Sequence, residues 1–318
     1  MSEPGVKIVF GSAGFMSSSV PDVEEWLTAL AEVDITAIDT AEIYGMSEQL
    51  LGDAGAGARF TIDTKAPGGT GTQLSTGTNI IDSAKQSLKK LKVDAVDVYY
   101  LHAPDRRVPL KDTLSGLNKL HQQGVYKRLG LSNFLGHEVE EVVRVAHENN
   151  FVVPSVYQGN YSAIARRTET EIFPILRKHN IAFYAYSPIA GGFLSKSRAD
   201  LTAAEGRFGR GDAIGNLYNS MYNRPSLVAA LDTWERIAEE EGVTRAELAY
   251  RWIVHHSKLQ GNSGDAVIVG ARKVEQLRDT VKAIKNGPLS DGAVGKIEDV
   301  WETVKSDSFL DNFEAFNK

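Results

Sequence analysis

Four residues suited to moving a proton onto an oxygen stand at the ends of consecutive short apolar runs. Asp39 ends Thr36-Ala-Ile-Asp39, and Tyr44 follows it in Thr40-Ala-Glu-Ile-Tyr44-Gly45. Lys65 closes Phe60-Thr-Ile-Asp-Thr64-Lys65, and His102 closes Val96-Asp-Val-Tyr-Tyr-Leu101-His102. A free tyrosine has a pKa near ~10 and is a poor acid at neutral pH. A neighbouring ammonium favours the phenolate, and a histidine can orient or share the proton. Lowering the phenol to about 7 takes roughly 4 kcal/mol of differential interaction, within reach of a lysine in a dry site. Asp39 would keep Lys65 charged and fixed, and a carbonyl oxygen placed here could be protonated as hydride reached its carbon. Singly, each residue has an ordinary explanation: Asp39 as a turn cap, Lys65 as a solvated strand end, His102 as a hydrogen-bonded core histidine. Jointly those explanations are strained, because chance seldom sets three such residues at consecutive strand ends.

The elements that would have to position them alternate along the chain. Eight β-branched or aromatic runs recur, at 7–10, 36–39, 60–64, 96–101, 129–131, 155–158, 182–186 and 266–269. Several carry few polar residues on either face, as strands of a buried parallel sheet do. Between them, apolar residues recur at helical spacing: Val23, Trp26, Leu27 and Leu30 after Pro21 and the capping candidate Asp22; Ile81, Ala84, Leu88 and Leu91; Leu114, Leu117 and Leu120; Val139, Val142, Val143 and Ala146; Val274, Leu277, Val281 and Ile284. This pattern predicts an α/β protein, a (β/α)8 TIM barrel in one domain over 1–318, with a doubly wound open sheet as the rival. In either, ligands gather at the carboxyl ends of the strands, which adds Ser132, Asn133, Gln158 and Tyr186 to the residues of interest.

Two places break the rhythm. Residues 190–225 are rich in glycine and lack periodicity, which predicts a long lid or binding loop. Extra helical patterns follow, at 227–241 and from the capping box Thr244-Arg-Ala-Glu247. The tail from Ser290 carries another short helical pattern and then Phe309, Phe313 and Phe316, aromatics that either fold over a barrel mouth or pack on the outer helices.

Composition narrows the functions. Over 318 residues, 35 lysines and arginines face 41 acids, a net charge of −6, which argues against a general nucleic-acid binder. With no cysteine there is no disulfide framework or thiolate metal site, and His255-His256 lack metal-ligand spacing with carboxylates. No secretory signal or apolar segment of bilayer length is legible, so the expectation is a cytoplasmic protein with no membrane or nucleic-acid partner and no metal. Gly52-Asp-Ala-Gly55-Ala-Gly57 precedes a strand instead of following one, and Gly68-Gly-Thr-Gly-Thr lacks the end of a phosphate loop, so both read as connections.

Asp39-Thr-Ala-Glu-Ile-Tyr44-Gly45, Thr64-Lys65, Tyr100-Leu-His102, Gly130-Leu-Ser-Asn-Phe134 and Tyr186-Ser-Pro-Ile-Ala-Gly-Gly192 together resemble the aldo-keto reductase superfamily, in order over most of the chain. Ser187-Pro-Ile-Ala-Gly-Gly-Phe-Leu194, Gly206-Arg-Phe208 and Tyr222-Asn-Arg224 resemble its aflatoxin aldehyde reductase branch. The resemblance implies a barrel that binds NADPH in extended form, with a catalytic tetrad on Asp39, Tyr44, Lys65 and His102 and Tyr44 as general acid. It implies that Ser132, Asn133 and Gln158 hold the carboxamide, that Tyr186 stacks on the nicotinamide, and that Ser187, Ile189, Gly191 and Leu194 lie near the pyrophosphate. At the adenosine end the sequence departs from the family pattern. Gly270, Gln276 and Thr280 fall where a serine-containing loop, an arginine and an asparagine are usual, and Arg272 with Lys273 could supply the missing charge. Arg224 matches a position that could grip a substrate carboxylate; Arg198, Arg207 and Arg210 of the long loop read as solvated.

The function expected is NADPH-dependent reduction of a small-molecule carbonyl, an aldehyde or some ketones; the branch it resembles often dimerises, and the residues leave monomer and homodimer both open. A different class, a cofactor-sensing regulatory protein like the potassium-channel β-subunits, shares the same fold and tetrad. Another barrel enzyme, a lyase or isomerase, would leave Ser132, Asn133 and Gln158 without a purpose.

Overall fold

The computed structural model describes residues 5–17, 19–202, 206–209, 211 and 213–316; Arg210 lies outside them, as do the side chains of Arg207 and Phe316. Eight strands, β1 (Lys7–Gly11), β2 (Ala37–Asp39), β3 (Thr61–Ala66), β4 (Val96–Leu101), β5 (Tyr126–Ser132), β6 (Val156–Asn160), β7 (Ala182–Tyr186) and β8 (Ala266–Val269), form one closed parallel barrel in chain order. The ring closes between β8 and β1, with Lys7 opposite Ala266 and Phe10 opposite Val269. All eight apolar runs are strands, and the open sheet is excluded by the closure.

Side-chain alternation sorts the residues into two cores. Val9, Ala37, Val98, Tyr100, Val156, Ala182, Tyr184, Ala266 and Ile268 fill the barrel interior. The intervening positions, among them Phe10, Ile38, Leu129, Leu131 and Phe183, pack outward against the helices. Space inside is tight: a Cβ on Gly130 would lie 2.2 Å from the Tyr100 ring, so that glycine is the socket of a barrel-filling tyrosine.

The outer ring begins with α1 (Val20–Glu32), α2 (Ser47–Asp53), α3 (Gly77–Leu91), α4 (Leu110–Gln122), α5 (Gly136–Glu148), α6 (Thr168–Glu171) and α7 (Phe173–Lys178). The expected cap of α1 shifts by three residues: Ser19 is the N-cap, and Asp22 closes a capping box by accepting the Ser19 N–H at 3.0 Å. Gly52 is helical rather than part of a loop, and its lack of a side chain lets α2 cross α3 so closely that a Cβ there would meet the Lys90 carbonyl at 2.0 Å.

The long segment after β7 is not structureless. It contains α8 (Arg198–Thr202) and α9 (Ala213–Tyr222) before α10 (Pro225–Glu241) and α11 (Arg245–His255). Phe193, Phe208, Tyr218 and Tyr222 pack together, so the apolar groups that anchor this insert are aromatic and come from several turns, a spacing that hides helical periodicity. Only half of the box at Thr244 forms: its hydroxyl accepts from Glu247 N at 3.1 Å, while the Glu247 carboxylate turns to Arg251 and Asn286. After β8 come α12 (Val274–Lys285), α13 (Asp291–Val304) and α14 (Asn312–Phe316). His255 and His256 bond the Ile284 carbonyl and the Leu289 N–H, tying α11 to the chain after β8. No described helix is long and apolar enough to cross a membrane.

Replacing Gly130 with alanine should cost about 1–3 kcal/mol by overpacking against Tyr100. Urea unfolding of Gly130→Ala checks this, and an unchanged midpoint would mean that the Tyr100 ring yields without cost.

Candidate active site

The strand register assembles the expected residues at one end of the barrel. Asp39 is the last residue of β2, Lys65 stands near the end of β3, and His102 directly follows β4, its N–H bonded to the Ala66 carbonyl at 3.0 Å. Ser132 pairs with Gln158 across β5 and β6, and Asn160 with Tyr186 across β6 and β7. Tyr44 sits in the turn after β2. Three hydroxyls set that turn: Thr40 Oγ1 donates to Ser47 Oγ, Ser47 meets Ser12 Oγ, and Ser12 donates to the Asp39 carbonyl, each at 2.9 Å. Gly45 has a φ of +55° and passes over Met16, so the chain reverses tightly just beyond Tyr44.

Lys65 is wholly buried. Its ammonium donates to Asp39 Oδ1 at 2.5 Å and to the Thr40 carbonyl at 2.7 Å, and it faces the Tyr44 ring at 5.2 Å and the Tyr100 ring at 5.6 Å. Gln158 Nε2 donates to the other Asp39 oxygen at 2.8 Å. The aspartate is therefore held from both sides and the lysine cannot swing away. The ring of Tyr44 meets His102 edge-on, at 5.7 Å between centroids and 78° between planes. Burial and the Lys65 charge hold the His102 imidazole well below its usual pKa, so it is neutral at physiological pH. Its Nδ1 is buried without a partner among the described residues. Tyr44, Lys65, Asp39 and His102 thus share one site.

A second carboxyl lies beneath this group. Asp63, two residues before Lys65 on the same face of β3, is registered against Asp39 and is completely buried. One oxygen accepts the Val98 N–H at 3.1 Å; the other has no partner among the described residues. Burial first, then the charges of Asp39 and Asp97, push its pKa up to about 7, against a smaller opposing pull from Arg128. The strand alternation Asp63-x-Lys65 is the sequence signal for this residue, which sequence reasoning from strand ends alone misses because Asp63 lies inside β3.

Asn133 knits the far side of the mouth. Its side chain donates to the His102 carbonyl at 2.8 Å and to Ser132 Oγ at 3.1 Å, and accepts from the Tyr186 hydroxyl at 2.8 Å. Asn133 and one Gln158 N–H are thereby committed to the protein, and the Ser132 hydroxyl and the remaining Gln158 amide atoms are the groups left for a carboxamide. Beyond Tyr186 the backbone takes positive φ at Ser187, Ala190, Gly191 and Gly192 (56°, 51°, 66° and 101°). The N–H groups of Ala190, Gly192 and Leu194 donate to the Ser187 and Ile189 carbonyls, so the segment folds as a series of tight turns. Space is open where a Cβ on Gly192 would be, while a Cβ on Gly191 would strike the Tyr218 ring at 2.1 Å. Ile189 is half-buried, and Leu194 is buried with its side chain in the core.

The neighbouring loop, after β8, exposes Gly270, Arg272 and Lys273, and Gln276 is exposed on the first turn of α12. Gln276 Oε1 accepts the Arg272 N–H at 2.9 Å, and Thr280 lies beside the Tyr250 phenol. These residues fit an extended dinucleotide laid from the turn after β7 toward the two exposed cations, Arg272 and Lys273, after β8. Arg224 donates to the Ser220 carbonyl at 3.1 Å, stacks on Phe309 at 4.4 Å and lies 3.8 Å from Asp307. Arg198 pairs with Asp232 at 2.9 Å.

A parallel eight-stranded barrel with an acid, a lysine, a histidine and a tyrosine at its carboxyl mouth defines a class of carbonyl oxidoreductases, and comparison with known proteins agrees. The Aldo/keto reductase family model matches residues 7–302, and the chain belongs to that family of NAD(P)H-dependent enzymes. It is 38% identical to Oxidoreductase sirO of Leptosphaeria maculans, over 95% of each chain. It is 37% identical to human Aflatoxin B1 aldehyde reductase member 2, over 87% of this chain and 80% of that one, and 30% identical to Aldo-keto reductase pigE of Monascus ruber, over 94% and 93%.

The buried Asp63 carries a signed pH dependence. Its pKa is about 7 in the folded chain against 3.8 in the unfolded one, so below pH 4 both states hold the proton and there is no cost. As pH rises to 7 the folded state is progressively penalised, by on the order of 4 kcal/mol in full. Asp63→Asn should therefore gain stability relative to wild type between pH 4 and 8. Denaturant titrations across that range test this; a pH-independent difference would mean that Asp63 is ionised throughout.

Proposed function

We propose that this chain reduces small-molecule aldehydes, and some ketones, with NADPH, using Tyr44 as the general acid. The observation that carries the reading is the fixed, buried ammonium of Lys65 facing the Tyr44 ring at 5.2 Å with His102 edge-on to the same ring. When bound, the reduced nicotinamide supplies the hydride. The chain's own residues do the rest. Asp39, tethered by Gln158, holds Lys65 in place; Lys65 stabilises the negative charge that Tyr44 acquires as its phenolic proton passes to the carbonyl oxygen. A neutral imidazole at His102 can orient that oxygen without adding a competing positive charge. The products are the alcohol and oxidised cofactor, and Tyr44 recovers its proton from water at the mouth. Such general acid catalysis contributes typically about 10²–10⁴-fold.

Tyr186 would lie under the nicotinamide ring, with Ser132 and Gln158 toward its carboxamide and the turn 187–194 toward the pyrophosphate. Arg272 and Lys273 support the choice of NADPH, since exposed cations at a helix start suit a 2′-phosphate. Ile43 and Met46, exposed on either side of Tyr44 in the chain, offer apolar surface to the body of an incoming aldehyde.

Tyr44→Phe should lower kcat for an aldehyde panel about 10²-fold or more while leaving cofactor affinity near wild type; undiminished turnover would remove Tyr44 from its role. NADPH should bind about tenfold more tightly than NADH, a difference lost in Arg272→Ala, as one charge-assisted phosphate contact would predict. Equal dissociation constants for the two cofactors in wild type would reject a 2′-phosphate site.

A further inference from the structure

The C-terminal segment crosses the barrel mouth as a strap. At one side Phe309 lies under the Arg224 guanidinium, and Asp307 accepts from Ser226. Glu314 takes the Leu310 N–H at 2.8 Å and an Arg167 N–H at 3.0 Å, and Asp311 caps α14 by accepting the Glu314 N–H at 2.7 Å. At the other side the Phe313 ring meets Arg106 at 5.7 Å and reaches toward Gly69, whose added Cβ would lie 3.3 Å from it. Of the tail aromatics, Phe313 therefore lies over the mouth and Phe309 beside Arg224 at the start of α10, while the side chain of Phe316 lies outside the described residues.

In the middle of the strap one polar bond points inward. The backbone N–H of Asn312 donates to the Tyr186 hydroxyl at 3.1 Å, and that hydroxyl donates onward to Asn133 Oδ1 at 2.8 Å. Since Asn133 also holds Ser132 and the His102 carbonyl, a continuous hydrogen-bonded line runs from the tail to the catalytic end of β4. The donor is available for a simple reason: Asn312 opens α14, and the first N–H groups of a helix have no partner inside it. Both bonding directions of the Tyr186 hydroxyl are thus used, one by the barrel and one by the strap.

We propose that the backbone N–H of Asn312 is a positioning group for the cofactor platform: by fixing the Tyr186 ring, the docked strap sets the affinity of the nicotinamide dinucleotide. This rests on the reading above in which the nicotinamide stacks on Tyr186. A strap of this kind acts on cofactor binding more than on the chemical step, because Tyr44, Lys65 and Asp39 are held by other contacts.

The experiment titrates the full chain with NADPH, followed by quenching of tryptophan fluorescence, in Asn312→Ala, which keeps the N–H, and Asn312→Pro, which removes it. Proline is tolerated at the first position of a helix, so the change deletes little besides the donor. The proline variant should bind NADPH about fivefold more weakly than the alanine variant, the worth of one hydrogen bond. The loss should fall on KM for the cofactor, with kcat at saturation nearly equal in the two. Tyr186→Phe removes the same bond from the other end and serves should the proline variant fold poorly. Adding Asn312→Pro to Tyr186→Phe should then weaken binding no further. Equal dissociation constants for the proline and alanine variants, an undiminished affinity in Tyr186→Phe, or additive losses would each overturn the proposal. Failure of the wild-type chain to bind NADPH would instead strike the functional reading itself, before the strap is in question.

Discussion

Everything at the mouth of this barrel follows from placing an ammonium where water cannot reach it. A bare lysine charge in a protein interior is costly, and the cost is offset only by close, well-directed partners. Lys65 has Asp39 and the Thr40 carbonyl, and Asp39 is in turn secured by Gln158 from across the barrel. Three strands and one turn are thereby committed to a single charge. The same dryness that makes the lysine expensive makes its field strong, and the field falls on the Tyr44 ring and on His102. It is one reason that the imidazole is held neutral. Stability and chemistry are set by one electrostatic arrangement.

The remaining polar groups show what that arrangement demands of its neighbours. With one buried ammonium and two buried carboxyls in register, Asp39 and Asp63 cannot be treated alike. The nearer, doubly bonded one takes the ion pair, and the deeper one is driven toward its protonated form. Lower in the barrel, Arg128 reaches Asp97 at 2.6 Å and the Tyr184 hydroxyl at 3.0 Å, so charge inside the ring is partnered at both ends. Around the rim the site is joined less by ion pairs than by amides and hydroxyls, with Asn133 as the node.

The sequence shows the barrel and the tetrad clearly because both obey simple periodicities. Buried parallel strands leave near-continuous apolar runs, and Asp39, Lys65 and His102 stand where those runs stop. Legibility fails where the chain departs from those rules for a physical reason. The first half of β5 carries no apolar signal, because Lys127 and Arg128 read as surface residues, although Arg128 points inward to Asp97. Helix α9 was hidden by its aromatic and asparagine-rich composition. The proper N-cap of α1 lay before Pro21, at Ser19. Asn133 and Gln158 were visible as site residues, but their bonds to Tyr186 and Asp39 were not, since amide orientation leaves no mark on spacing. The contact of Asn312 with Tyr186 lies further beyond reach: it uses a backbone group and joins residues 126 positions apart.

Closure of the ring has a consequence for how such a chain comes to exist. β1 pairs with β2 on one side and with β8 on the other, and β8 lies almost the whole length of the polypeptide away. During synthesis the first strand therefore waits with one row of amide and carbonyl groups unmatched until the last strand has left the ribosome. An unpaired strand edge is an invitation to association with other nascent chains. The burden of keeping this molecule out of aggregates falls on that interval, and on whatever shields Lys7–Gly11 while it lasts.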